Sequence, residues 1–198
     1  MVSRGTTLLQ DSYIHHCTNI GVWMDRPEHP VFCELRNCAL VHCMEGIRSY
    51  DANLSIHRCV IMFVNVAIHC DHGMAIRIRD NTIHECKKMA MIVKNVRLFQ
   101  LISNAIYDCS AGCDFHSIAS CQLTNNCFIF IKNQLLFLTS CFVYDIDLVL
   151  TRINSYVSII ISVYQHLHRD YIILQLRHIT LLTYPVIRFS IVITKRMT

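Results

Sequence analysis

Residues 55–64 read SIHRCVIMFV, and they form one copy of a unit that recurs through the first two thirds of the chain. The copies share a small or polar anchor position, and the anchors return at nearly equal intervals along the sequence. The six anchors are Ser12, Cys38, Cys59, Asn81, Asn104 and Asn126. A period of about 22 residues indicates a solenoid, in which each unit forms one layer of a stack.

Apolar side chains recur at three fixed distances from the anchor: three residues before it, two residues after it and five residues after it. These columns are Leu9, Leu35, Ile56, Ile78, Leu101 and Leu123; Ile14, Leu40, Ile61, Ile83, Ile106 and Phe128; and Cys17, Cys43, Val64, Cys86, Cys109 and Ile131. Short groups rich in Ile, Val and Leu favour strands, and the unit is too short for a helical pair. The sequence therefore predicts an all-β fold, a single-stranded parallel β-helix of five to six coils stacked about 4.8 Å apart.

Three features of the unit have a structural interpretation. The column cysteines, Cys17, Cys43, Cys86 and Cys109, are expected to stack inside as small hydrophobic residues. The asparagines of the anchor column are expected to form an internal ladder whose amides bond from coil to coil. The small residue that follows the anchor by eight or nine positions, such as Gly21 or Gly46, is interpreted as a turn position.

The repeat units resemble those of the right-handed parallel β-helices of the pectate-lyase-like superfamily. The resemblance is carried by LQDSYIHHCTNIGVWM, IRIRDNTIHECKKMAMIV and LISNAIYDCSAG, and it spans about residues 7–131. The pattern N-x-I-x-x-C, followed by a small residue and an apolar pair, is similar to the repeats of the β-helix F-box proteins and of the SHC-binding spindle proteins. The resemblance implies a right-handed helix, but it says less about function because one fold hosts both enzymes and binding proteins.

The predicted domain boundary follows Ile131. Residues 7–131 are assigned to the β-helix, and residues 132–198 to an irregular apolar tail without Gly, Glu or an anchor column. Further coils, a cap and sequence not selected for folding are the alternatives for this tail. Its longest uncharged run, residues 153–168, is shorter than the roughly twenty residues of a spanning helix, so a membrane segment is not expected. The few residues before the repeats are too short to cover an open coil end, and we expect the chain to be part of a longer protein.

The composition favours an intracellular protein. The net charge is +4 and no run of five Lys or Arg occurs, so a nucleic-acid partner is not expected. Several of the twelve cysteines recur in one core column, and no secretory signal is visible. Mostly free thiols in the cytoplasm or nucleus are therefore predicted. Thiol-based redox or metal sensing is a weaker alternative, because reactive cysteines need exposure and a lowered pKa.

The main functional hypothesis is a non-enzymatic scaffold that binds a protein or peptide partner. The candidate binding residues are Trp23, His15, His84 and Tyr107, since strand alternation turns the last three outward and Trp23 precedes an insertion at residues 25–30. The F-box resemblance implies substrate recognition for ubiquitination, although no F-box precedes the repeats. No H-E-x-x-H or C-x-x-C motif is present, so no metal and no cofactor are predicted.

The alternative hypothesis is a polysaccharide lyase or glycoside hydrolase of the pectate-lyase-like fold. Asp25, Asp51 and Asp71 follow the small residue by four or five positions in successive coils. If the turns superpose, these carboxylates form a ladder suited to acid–base chemistry on a carbohydrate or to calcium binding. Asp also stabilises turns, which is the simpler interpretation.

Overall fold

The computed structural model describes residues 6–25, 32–129, 131–133, 136–139, 141, 143–151, 158–165, 176–182 and 190–197. In these ranges the regular secondary structure is of one kind, β-strand. The strands are β1 Thr6–Gln10, β2 Tyr13–His15, β3 Ile20–Met24, β4 Phe32–Arg36, β5 Ala39–Val41, β6 Glu45–Tyr50, β7 Asn53–His57, β8 Val60–Met62, β9 Val66–Arg79, β10 Thr82–His84, β11 Met89–Ile102, β12 Ala105–Tyr107, β13 Cys113–His116, β14 Ser120–Ile129, β15 Leu136–Thr139, β16 Val143–Thr151, β17 Ser158–Gln165, β18 Leu176–Leu182 and β19 Ser190–Met197.

Each coil adds one strand segment to each of three parallel sheets. Sheet 1 contains β1, β4, β7, the second halves of β9 and β11, and the start of β14. Sheet 2 contains β2, β5, β8, β10, β12 and the end of β14. Sheet 3 contains β3, β6, the first halves of β9 and β11, and β13. These strands pair in parallel with their counterparts one coil further along, so the predicted parallel β-helix is confirmed.

Residues other than glycine with positive φ lie at the corners between sheets, and at one corner Gly73, with φ 153°, follows such a residue. The corner residues are Asp11, Asn37, Arg58, Asp80, Ser103 and Asn125 between sheets 1 and 2; His16, His42, Phe63, Glu85 and Asp108 between sheets 2 and 3; and Asp51, His72, Asn95 and Ser117 between sheets 3 and 1. Most of their backbone N–H groups donate to a carbonyl of the next coil, as in the 3.0 Å bond from Asp11 to the Arg36 carbonyl. Asn, Asp and His adopt this left-handed conformation more readily than other residues with a side chain, which explains their frequency here.

The interpretation of Gly21 and Gly46 as turn residues is wrong. Both lie inside strands, β3 and β6, and neither has a positive φ. A methyl group added at Gly46 would lie 2.6 Å from the Ala67 carbonyl oxygen and 2.9 Å from Ile61 Cγ2. The small side chain is therefore required by the close approach of the next coil.

The predicted core columns are confirmed. Leu35, Ile56, Ile78, Leu101 and Leu123 are completely buried. All twelve cysteines are free thiols, and ten of them are buried. The predicted asparagine ladder forms as well: the side-chain amide of Asn81 donates to Asn104, and that of Asn104 donates to Asn126, both at 3.0 Å.

Strand pairing continues beyond the predicted boundary at Ile131. Strands β15, β17 and β19 follow β13 in sheet 3, and β16 and β18 follow β14. The last coil is longer than the one before it. Leu136 pairs with Ile159 in the next coil, whereas Ser158 pairs with Ser190, which is further away along the chain. The β14–β16 and β16–β18 pairings also contain register shifts. Longer and irregular coils explain the loss of the anchor columns.

Parts of two regions singled out in the sequence lie outside the described residues. These are residues 26–30 of the insertion after Trp23, and residues 153–157 and 166–168 of the long uncharged run. In the portion of the chain that is described, no helix has both the length and the apolar character needed to cross a membrane.

Candidate ligand-binding surface

Seven aromatic and imidazole rings form a continuous strip across the first five coils, along the edge between sheets 2 and 3. Neighbouring ring centroids are 4.9, 5.2, 5.0, 4.8, 6.1 and 4.6 Å apart in succession. The rings belong, in order, to Tyr13, His15, His16, His42, Phe63, His84 and Tyr107. We call this strip of seven rings the ring ladder.

The corners of the solenoid position the centre of the ring ladder. His16, His42 and Phe63 occupy the same left-handed corner in three successive coils. Since equivalent positions in neighbouring coils are about 4.8 Å apart, their rings stack, and those of His42 and Phe63 are only 11° from parallel. The carbonyls of Val41 and Met62, which precede His42 and Phe63, accept the backbone N–H groups of His16 and His42, so the backbone hydrogen bonds between coils continue through these corners.

In coils four and five the ring belongs to the last residue of the sheet 2 strand and not to the corner residue. The corner residues there are the acids Glu85 and Asp108, whereas His84 and Tyr107 pair in register on the adjacent position. Their rings stack at 4.6 Å and 7°. His84 Nδ1 lies 3.0 Å from Glu85 Oε2. Partial burial raises the pKa of the Tyr107 hydroxyl, and Asp108 and Glu85 raise this pKa further. Tyr107 therefore remains a protonated hydrogen-bond donor at neutral pH.

The ladder exposes apolar ring surface to solvent. Tyr13 is 64% exposed and Phe63 is 37% exposed. His15 and His16 bring their Nδ1 atoms within 2.9 Å of each other, so the N–H of one ring donates a hydrogen bond to the ring nitrogen of the other. The strip thus offers flat apolar faces next to hydrogen-bonding groups, a combination enriched at protein interfaces.

Three of the four predicted binding residues belong to the ladder. His15, His84 and Tyr107 lie in it, whereas Trp23 is 61% exposed on sheet 3, where it pairs with Arg48. The other ring positions, His16, His42 and Phe63, were not predicted from the sequence. A signal for them was present: each directly precedes a residue of the Cys/Val column, so an outward ring recurs beside an inward core position in three units.

The strand register offsets by one residue the carboxylates of the predicted ladder, Asp25, Asp51 and Asp71. Asp71 pairs with Tyr50 and Lys94, and the backbone N–H of Asp51 donates to the Asp71 carbonyl from the following corner position. The offset arises from a difference in coil length. Tyr50 is the residue that pairs with Asp71, and Asp51 comes one residue after Tyr50. Asp25 follows Met24, whose partner is Ser49, and it therefore falls beside the Tyr50 position rather than Asp51.

The outer face of sheet 3 nevertheless holds a charged cluster. Arg48 Nη2 lies 2.6 Å from Glu45 Oε1, and His69 Nδ1 lies 3.9 Å from Glu45 Oε2. Burial lowers the pKa of His69, and the Glu45 carboxylate opposes this effect. Glu45 Oε2 and Arg48 Nε are buried and have no hydrogen-bond partner among the described residues. Among the described residues no group of three or more His, Cys, Asp or Glu is arranged to hold a metal ion.

The interior cysteines have the chemistry of buried thiols. Burial raises the pKa of Cys59 to about 11 and that of Cys70 to about 12. The thiols at these positions are protonated near neutral pH and react slowly, because the thiolate is the nucleophile. This argues against redox sensing through these two positions.

The family comparison agrees with the architecture. The family model described as "Right handed beta helix region" matches residues 1–147. This match covers most of the chain, and the protein belongs to that family, which confirms the predicted right-handed parallel β-helix. No curated protein and no solved structure matches the chain. The finer similarity to F-box and SHC-binding spindle proteins stays a prediction.

Proposed function

We propose that this β-helix is a non-enzymatic scaffold that binds a protein or peptide partner along the ring ladder. The observation that supports it is the continuity of seven outward rings over five coils, with Tyr13 and Phe63 substantially exposed. Aromatic side chains supply large contact areas at a low cost in conformational entropy, and they are frequent among the residues that dominate binding energy.

The dimensions of the ladder suit an extended peptide. Five coils at about 4.8 Å each give a strip about 20 Å long from the first coil to the fifth. An extended chain rises about 3.3 Å per residue, so about six residues of a partner would lie along the strip. Alternate side chains of the peptide would pack on the rings, and the imidazole nitrogens and the Tyr107 hydroxyl would hydrogen-bond to its backbone.

The proposed setting is a reducing compartment, the cytoplasm or the nucleus. The free state of all twelve cysteines supports it, because closely stacked thiols persist where the environment is reducing. By analogy with the β-helix F-box proteins, the bound partner would be a protein selected for ubiquitination. In that case the ring ladder would supply the recognition surface.

A peptide-display selection against the immobilised protein tests the proposal. We expect enriched peptides to bind the double variant His42→Asn, Phe63→Asn at least about tenfold more weakly, since each lost aromatic contact is worth about 1 kcal/mol or more. Asn is chosen because both positions have positive φ, which Asn tolerates.

The matched control is Met74→Ser, which removes an exposed apolar side chain away from the ring ladder. Binding should be unchanged in this variant. If no peptide is enriched, or if the enriched peptides bind the double variant as well as the wild type, the proposal is wrong.

A carbohydrate-active enzyme remains the second candidate. The observation in its favour is the cluster of Glu45, Arg48 and His69, in which two buried polar atoms lack hydrogen-bond partners. The assay is release of reducing ends or unsaturated products from a panel of acidic and neutral polysaccharides, with and without calcium. Activity that Glu45→Gln or Asp71→Asn abolishes, and that Phe63→Asn leaves intact, would replace the scaffold proposal.

A further inference from the structure

A groove on the outer face of sheet 1 is lined by polar side chains from successive coils. Ser55 pairs in register with Arg77, and His57 pairs with Arg79. Arg77 in turn pairs with Gln100. The groove is completed by Glu34 at one end and by Ile78 and Ile102. Two adjacent columns of hydrogen-bonding groups therefore face the same space.

The two central arginines of this groove lack an acidic partner. Glu34 forms an ion pair with Arg36, whose Nη2 lies 2.6 Å from Glu34 Oε1. Asp80 lies 3.0 Å from His57. Among the described residues no carboxylate oxygen lies within 4.0 Å of Arg77 or Arg79. Within the part of the chain that the structure describes, the two arginines therefore lie side by side and neither forms an ion pair.

The strand geometry points both guanidinium groups to one side. Arg77 and Arg79 are exposed and alternate with Ile78, which is completely buried. Residues two apart on a strand are about 7 Å from each other, a gap that a small tetrahedral anion spans. The Nε of Arg77 donates to Gln100 Oε1 at 3.2 Å, and Gln100 donates to Gln122 at 3.0 Å. This chain of hydrogen bonds holds the Arg77 side chain along the groove and leaves its terminal Nη groups for another acceptor.

We propose that this groove binds a phosphate group, free or as a monoester, between Arg77 and Arg79. Guanidinium groups match phosphate oxygens with pairs of parallel hydrogen bonds. A phosphate monoester carries about −1.5 to −2 charges at neutral pH and three acceptor oxygens, which balances two arginines. A carboxylate carries one charge and two oxygens and would leave part of this site unpaired. The Ser55 hydroxyl and the His57 ring supply further polar contacts. This inference concerns a different face from the ring ladder and does not depend on the function proposed for that ladder.

Titration with inorganic phosphate at constant ionic strength tests the site. The amide NMR shifts of residues 55–57 and 76–80 should change and saturate, whereas chloride should cause no saturating change. Because a hydrogen bond to a charged group contributes about a factor of ten or more, Arg77→Gln and Arg79→Gln should each weaken binding about tenfold, and the double variant more. The control Arg97→Gln removes another exposed arginine, which does not line the groove, and should bind phosphate like the wild type.

Comparison with N-acetyl phosphoserine amide distinguishes the two sources of the phosphate. Binding about tenfold tighter than that of inorganic phosphate assigns the site to a phosphorylated side chain, and equal binding assigns it to free phosphate. Thermal unfolding of each variant checks that the fold is intact. Shifts that fail to saturate, or that are the same in the folded double variant, would overturn the inference.

Discussion

The side-chain oxygen of Asn104 accepts two hydrogen bonds from Asn81 in the preceding coil. One comes from the Asn81 backbone N–H and the other from its Nδ2, both at 3.0 Å. The Asn104 amide itself donates to the Ile78 carbonyl, and its backbone N–H donates to Asn126 Oδ1, also at 3.0 Å. Both residues are buried. The corner between sheets 1 and 2 is therefore held by a chain of buried amides, in which Asn104 forms hydrogen bonds to the coil on either side.

Asn104→Ala should be strongly destabilising. The substitution leaves two donors of Asn81 without an acceptor in the interior, and each buried unsatisfied group costs about 1–3 kcal/mol. We expect the free energy of unfolding in urea to fall by about 3 kcal/mol. Asn65→Ala is the control, since the Asn65 side chain makes no hydrogen bond within the described structure, and it should change stability by less than about 0.5 kcal/mol. Equal effects of the two substitutions would contradict the role of the ladder.

Gly46→Ala should destabilise the protein through overpacking. The added methyl group would meet the backbone oxygen of Ala67 at 2.6 Å, and a backbone atom cannot move aside as a flexible side chain does. A loss of about 1–3 kcal/mol in the free energy of unfolding is expected. Ser49→Ala in the same strand is the matched control: its buried hydroxyl has no hydrogen-bond partner, and its removal should leave stability unchanged or slightly raised. A fully stable Gly46→Ala variant would show that the coils can separate locally without cost.

His69 should make stability depend on pH. Burial lowers its pKa in the folded protein, and Arg48 and Lys94 add to the effect while Glu45 and Asp71 oppose it. The unfolded chain therefore binds the proton more readily, so stability is fully present above the unfolded pKa of about 6.5 and declines as the pH falls through it. Urea unfolding of the wild type and of His69→Gln at about pH 7.5 and pH 5.5 checks this, and the variant should lose less stability. The same loss in both proteins would contradict the assignment.

The interior thiols should be protected from alkylation in the folded protein. With pKa values of about 11 and about 12, Cys59 and Cys70 have thiolate fractions of roughly one in a thousand and one in ten thousand at about pH 8. Cys17 is only partly buried at the first coil and should react earlier. Mass spectrometry of iodoacetamide-treated protein over time measures the order of labelling, and urea should equalise the rates. Labelling of Cys70 as fast as Cys17 in native protein would contradict the buried position of Cys70.

The stacking of the coils follows from the amino-acid sequence alone. Inward positions such as Ile56, Ile78 and Leu101 repeat at nearly constant spacing, and only a parallel stack places equal columns on each other. Asn81, Asn104 and Asn126 were predicted as a ladder for the same reason, because buried amides must find partners and the adjacent coil supplies them. These features depend on the core, where burial penalises every departure from the pattern.

Which outward side chains lie next to each other depends on the three-dimensional register of the coils. Asp51 lies one residue beyond Tyr50, the residue that pairs with Asp71, so the two aspartates occupy different positions in their coils. His16, His42 and Phe63 lie together because all three occupy left-handed corners, and the signal for them in the sequence is indirect, since each precedes a residue of the Cys/Val column. The groove of Arg77 and Arg79 likewise depends on the pairing with Ser55 and His57. The physical reason is that solvent accepts almost any exposed side chain, so the core pattern specifies the stack but leaves the surface constellations to the coil lengths.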